Sequence, residues 1–137
     1  MKIFFFLPGV IWLIISIILL TLPANDLPHS GLFDLPYFDK VVHLGMFFLL
    51  TALFCFPYSN LSAERSTMLV IFTKIALWVI LYGIIMEFVQ KYYTAGRSFD
   101  LIDILFDALG SLTGLLAIRQ FVFKKIGPDK NRGRNQN

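Results

Sequence analysis

Glu87-Phe88-Val89-Gln90-Lys91-Tyr92-Tyr93-Thr94-Ala95-Gly96-Arg97-Ser98-Phe99-Asp100-Leu101-Ile102-Asp103-Ile104-Leu105-Phe106-Asp107 is the stretch that decides the fold. Glu87 and Gln90 close one long apolar run, and Asp103 and Asp107 lie inside the next. A carboxylate in hydrocarbon is costly unless it is paired, protonated or turned toward a wet cavity. Two expectations follow. The chain lives in a membrane, and it keeps a polar cluster there.

Composition agrees with the first. The 137 residues are 57% hydrophobic, 16% aromatic and 15% charged, with mean hydropathy +0.72. A soluble domain carries about 25% charged residues. The length suits one domain. Cys55 is the single cysteine and lies in an apolar segment, so no disulfide framework exists and a small buried hydrophobe is expected. No Cys/His pair has zinc spacing, and no phosphate loop, GxSxG elbow or HExxH helix occurs. The net charge of +3 does not imply nucleic acid, because the basic residues gather at Lys124, Lys125, Lys130, Arg132 and Arg134. Beside a bilayer, such a run marks a cytoplasmic flank that touches anionic lipid.

Working outward, four apolar spans appear: Ile3 to Leu22, Val41 to Phe56, Met68 to Gln90 and Leu101 to Phe123. Each approaches the ~20 residues that cross a ~30 Å hydrocarbon core. Backbone in lipid must bond within its own segment, so helices are expected. The first span is too long for a signal-peptide core, and no A-x-A site follows it. Pro23 to Phe38 suits a re-entrant or interfacial loop, and Tyr92 and Tyr93 suit interfacial aromatics. The fold expected is an all-α membrane protein, a four-helix transmembrane bundle over residues 1–123. A basic, disordered tail is expected over 124–137.

Lys and Arg counts set the expected orientation. With the N-terminus inside, Lys2, Arg65, Lys74, Arg119, Lys124, Lys125, Lys130, Arg132 and Arg134 fall on the inner side. Lys40, Lys91 and Arg97 fall outside, so both termini are expected to be cytoplasmic. The acids segregate the other way, with Glu87, Asp100, Asp103 and Asp107 toward the outer face.

Three pieces then meet at the outer helix ends. Asp39-Lys40-Val41-Val42-His43 opens the second span, with Asp39 and His43 on one face. Gly83, Glu87 and Gln90 share a stripe on the third. Asp103, Asp107, Gly110 and Gly114 share one on the fourth, whose small residues admit a neighbouring helix and so turn the aspartates inward. Asp39 and Asp100 have an ordinary reading as helix caps, and Asp103 as a favourable first-turn acid. Lys40 and Lys91 have one as snorkelling residues. Glu87 and Asp107 resist such readings. Glu87 stands at the negative end of its helix and needs a partner from Arg97, Lys40 or His43. Asp107 lies roughly 10 Å below the start of its helix, too deep for a cap. Arg97 is expected to bind a neighbouring carboxylate or an anionic ligand.

In this order, Asp39-Lys40-Val41-Val42-His43, Glu87-Phe88-Val89-Gln90, Gly96-Arg97-Ser98-Phe99-Asp100-Leu101-Ile102-Asp103 and Gly110-Ser111-Leu112-Thr113-Gly114 resemble the VanZ-like family of small bacterial integral membrane proteins. The resemblance runs from about Leu22 to Gly114, and Asp107 stands where the family pattern often has Asn. It implies a multi-pass protein of the bacterial cytoplasmic membrane and cell envelope, in a family whose named member is associated with resistance to teicoplanin.

Three functions compete on these residues. The leading one is a non-catalytic site of Asp39, Lys40, His43, Glu87, Gln90, Arg97, Asp100, Asp103 and Asp107 that faces outward and takes a lipid-linked or glycopeptide ligand. No cofactor, metal ligand or nucleic acid is assigned to it, and no oligomeric state. The second is an enzyme acting on a lipid-linked substrate, with His43, Glu87 and the aspartates as acid/base groups or as ligands of a divalent cation. The absence of an activated Ser or Cys weighs against acyl chemistry. The third, an ion-coupled transporter, suits a cluster at one membrane face less well than one at the midplane.

Overall fold

The computed structural model describes residues 3–23, 37–60 and 64–126. These residues form four long helices and no strand. α1 is Leu7–Thr21, α2 Phe38–Cys55, α3 Arg65–Tyr93 and α4 Leu101–Ile126. Two 3-10 segments, Ile3–Phe6 and Phe56–Asn60, extend α1 and α2. All four helical spans are long and apolar enough to cross a membrane. The expected 23–38 loop falls mostly outside the described residues, as does the tail beyond 126.

The helices outrun the apolar runs that announce them. α2 begins at Phe38, so Asp39 and Lys40 join its first turn. α3 starts at Arg65 and continues past Gln90 to Tyr93. Hydropathy ends where polar residues begin, whereas a helix continues as long as its backbone ladder is favourable. α3 stops at Thr94, and Gly96 takes φ 74°, a left-handed conformation that suits glycine. Asp100 restarts the chain as the N-cap of α4, its Oδ1 accepting the Ile102 N–H at 2.8 Å.

α2 and α4 share the most extensive contact. Glycine is the reason. A Cβ on Gly110 would strike the Leu44 carbonyl, and one on Gly114 would lie 2.5 Å from the Phe48 carbonyl oxygen. The two backbones therefore touch, as the small-residue stripe predicts. Below Gly110, Thr51 and Ser111 share a buried 2.8 Å hydrogen bond, and Ser111 donates to the Ala76 carbonyl at 3.2 Å. That pair ties α2, α3 and α4 at mid-height. Two apolar clusters flank it. Leu20, Met46, Phe47, Leu50, Val79 and Met86 form one, and Cys55, Met68, Phe72, Ile118 and Val122 the other.

α1 is the peripheral helix, burying only Gly9, Ser16 and Leu20. Three polar contacts hold it. The Trp12 indole donates to the Met46 carbonyl at 3.0 Å, Ser16 meets the Tyr82 hydroxyl at 2.8 Å, and Gln90 donates to the Leu20 carbonyl at 2.9 Å. The outer surface stays apolar, with Ile11, Ile14, Ile18, Leu77, Trp78, Leu105 and Leu116 exposed. This belt is far larger than a soluble monomer leaves in water.

Candidate functional site

The start of α2, the end of α3 and the start of α4 meet at one end of the bundle. Each carries ionisable residues on its inward stripe, so Lys40, His43, Glu87, Asp103 and Asp107 are all buried there. Buried charge survives only when paired or hydrogen-bonded.

Lys40 is the hub. Its Nζ donates to Asp103 Oδ1 at 2.5 Å and Asp100 Oδ2 at 2.6 Å, and lies 3.3 Å from Asp39 Oδ2. The snorkelling expectation for Lys40 is therefore corrected: its stem points into the bundle, because three carboxylates converge on it. Asp100 serves twice, capping α4 with one oxygen and holding Lys40 with the other. The ammonium beside it, and the Ile102 N–H, hold the Asp100 carboxyl below the usual carboxylate range. Asp39 is exposed in the first turn of α2 and caps nothing through its side chain. The N-cap there is Tyr37, at φ 65°.

His43, one turn further down α2, places Nδ1 2.9 Å from Asp107 Oδ1. This contact accounts for an aspartate two turns inside α4: it faces a histidine across the closest helix pair. The His43 ring stacks on Phe47, and Phe47 on Tyr82, with centroid separations of 6.4 and 5.6 Å. Asp107 also fills the space over Gly83, where an added Cβ would lie 2.7 Å from its Oδ2.

Glu87 accepts the Asp100 N–H at 3.0 Å. Its donor is the backbone of the next helix start, where N–H groups lack partners within the helix. Arg97, expected among the partners, is half-buried and forms no ion pair among the described residues. Gln90 also leaves the cluster, turning to the end of α1. Sequence reading missed the Ser16–Tyr82 and Thr51–Ser111 pairs. The only trace is a few hydroxyl-bearing residues scattered through the apolar runs.

One donor from each of His43, Glu87 and Asp103 lies within 4.8 Å of the others, on three different helices. Ligands at about 2.1 Å from a metal stand at most about 4.2 Å apart, so closing the set takes a shift of no more than roughly half an ångström. The surroundings already hold each of the three donors in place. Asp107 engages one His43 nitrogen and orients the ring, Lys40 holds Asp103, and the α4 backbone holds Glu87.

No family model matches this chain, and no solved structure matches it. The VanZ-like resemblance thus rests on its motif residues alone. The chain is 38% identical over 104 residues to an uncharacterized protein of the fission yeast Schizosaccharomyces pombe. The match covers 76% of this chain and 60% of the yeast protein, so the chain spans about three-fifths of that relative's length. A fungal relative at this identity corrects the bacterial expectation. The fungal relative points against the envelope role, the glycopeptide-resistance link and the bacterial inner-membrane location. The chain is similar to a eukaryotic protein of uncharacterized function.

Proposed function

We propose that this chain is a membrane-spanning four-helix protein that binds a divalent transition-metal cation through His43, Glu87 and Asp103. The observation that carries this reading is the meeting of one imidazole and two carboxylates, from three helices, with their donor atoms within 4.8 Å. Formal charge supports it. Glu87, Asp103 and Asp107 supply three buried negative charges and Lys40 one positive, a balance that a divalent cation with a neutral His43 ligand neutralises. The mixed nitrogen and oxygen set suits zinc, iron(II) or manganese better than calcium. Three protein ligands also leave coordination positions for water or a small ligand. The exposed apolar belt supports the membrane placement, and the Lys and Arg distribution supports both termini on the cytoplasmic side.

The test is metal content. Protein purified in neutral detergent without chelator is expected to hold about one equivalent of metal per chain. His43→Ala, Glu87→Gln and Asp103→Asn are each expected to lose it. Adding metal to chelated protein should raise its melting temperature, since a ligand at about 100 times its Kd stabilises by about 2.7 kcal/mol. Wild-type protein without metal, whose melting does not respond to zinc, iron(II) or manganese, would reduce the cluster to a clamp between helices.

A further inference from the structure

We infer that the turn between α3 and α4 binds a phosphate group through Arg97 and Thr94 when the proposed cation is in place. The inference rests on the metal reading above, because the cation sets the charge at this end. Without it, the buried Glu87, Asp103 and Asp107 outweigh Lys40 and repel an anion. With it those charges cancel, and Arg97 is left over as a positive charge.

Sequence position offers Arg97 a neighbouring carboxylate or an anionic ligand. The structure removes the first. Asp39, Asp100 and Asp103 face Lys40, Asp107 meets His43, and Glu87 accepts the Asp100 N–H. Arg97 forms no ion pair among the described residues, and its Nε is shielded from solvent without a hydrogen-bond partner. The second observation lies three residues away. Thr94 is only 7% exposed, and its Oγ1 is likewise shielded and unpartnered. Native folds keep few such atoms, and an absent ligand is one of their ordinary causes.

The turn holds the two residues together. The Thr94 N–H donates to the Gln90 carbonyl at 3.2 Å, and the Arg97 N–H to the Thr94 carbonyl at 3.3 Å. Phe99 packs on Phe88 with ring centroids 5.3 Å apart. Gly96 reverses the chain at φ 74°. Thr94 and Arg97 are drawn in, while Ala95, Gly96 and Ser98 stay exposed. A guanidinium fork takes two oxygens of one group, and the Thr94 hydroxyl can donate to a third. A carboxylate has only two oxygens, whereas a phosphate group presents three acceptors.

Calorimetric titration of inorganic phosphate into the full, metal-loaded chain in neutral detergent tests this. Phosphate is expected to bind more tightly than acetate. Arg97→Gln and Thr94→Val are each expected to weaken it by about tenfold, the scale of one lost hydrogen bond to a charged group. Arg97→Lys, which keeps the charge and loses the fork, should weaken it as well. Lys74→Gln, one-third of the way along α3, should leave it unchanged. Phosphatidic acid binding more tightly than inorganic phosphate assigns the group to a lipid headgroup, and the reverse order assigns it to a soluble phosphate. Acetate bound as tightly as phosphate would overturn the proposal, as would an unchanged Arg97→Gln, Thr94→Val double variant. Protein that holds its metal and ignores phosphate defeats this inference alone. Protein that holds no metal defeats the metal reading, and this inference with it.

Discussion

At the residue scale, Lys40 decides whether the polar end holds together. It faces Asp39, Asp100 and Asp103, and its removal leaves the buried Asp103 carboxylate without a counter-charge. Lys40→Met is expected to destabilise the protein by about 3 kcal/mol or more, the range for breaking a buried ion pair from one side. Thermal melting in detergent reads it directly. Asp100 sets a pH dependence. Its folded-state pKa is depressed, so its contribution is complete above the ordinary carboxylate value of about 3.9 and is lost as pH falls through the lower folded value. The melting-temperature gap between wild type and Asp100→Asn should be constant above about pH 5 and narrow as the pH falls below the ordinary carboxylate value of about 3.9. A gap that persists at low pH would place the stabilisation outside the Lys40 pair. These partners were only partly legible. The cap role of Asp100 follows from sequence position, but which base meets which acid depends on how three helices rotate against one another.

At the element scale, the α2–α4 contact is the frame on which the site is built. Gly110 and Gly114 let carbonyls of α2 lie against α4, and this contact brings His43 to Asp107. Gly114→Leu is expected to wedge the helices apart, at a cost of about 1–3 kcal/mol for overpacking. It should also lower metal binding, although Gly114 lies two turns below Asp107. Melting and metal content measured on the same preparation check both effects. Unchanged metal content in a destabilised Gly114→Leu protein would separate the site from this frame. Thr51→Ala is expected to cost far less, about 0.6 kcal/mol, the average for a hydrogen bond between helices in a bilayer. The small-residue stripe was readable because helical periodicity alone puts Asp103, Asp107, Gly110 and Gly114 on one face. The exit of Arg97 was not, because it lies in the turn between α3 and α4, where no periodicity constrains a side chain.

At the scale of the whole molecule, the two ends differ in chemistry. One buries histidine, lysine, a glutamate and two aspartates among three helix ends, and the other gathers arginines around an aromatic ring. If all four apolar helices cross a membrane, as proposed, both ends of the chain lie on the same side of it. Tags at the two ends are expected to show identical protease protection in sealed vesicles, and opposite protection would require an odd number of crossings. Apolar run length and charge spacing determined, by themselves, four helices and a polar stripe on each of the last three, because hydropathy and the 3.6-residue period act within a single segment. They also marked Glu87 and Asp107 as residues that capping does not explain. Only the tertiary structure decided the partners. It set Lys40 inward among Asp39, Asp100 and Asp103, Asp107 against His43, and Glu87 on the Asp100 backbone, and it left Gln90 and Arg97 outside. The physical reason is that pairing depends on the rotation and depth of one helix against another. Those are set by backbone contact at Gly110 and Gly114, residues far in sequence from the Lys40 and His43 that they bring to α4.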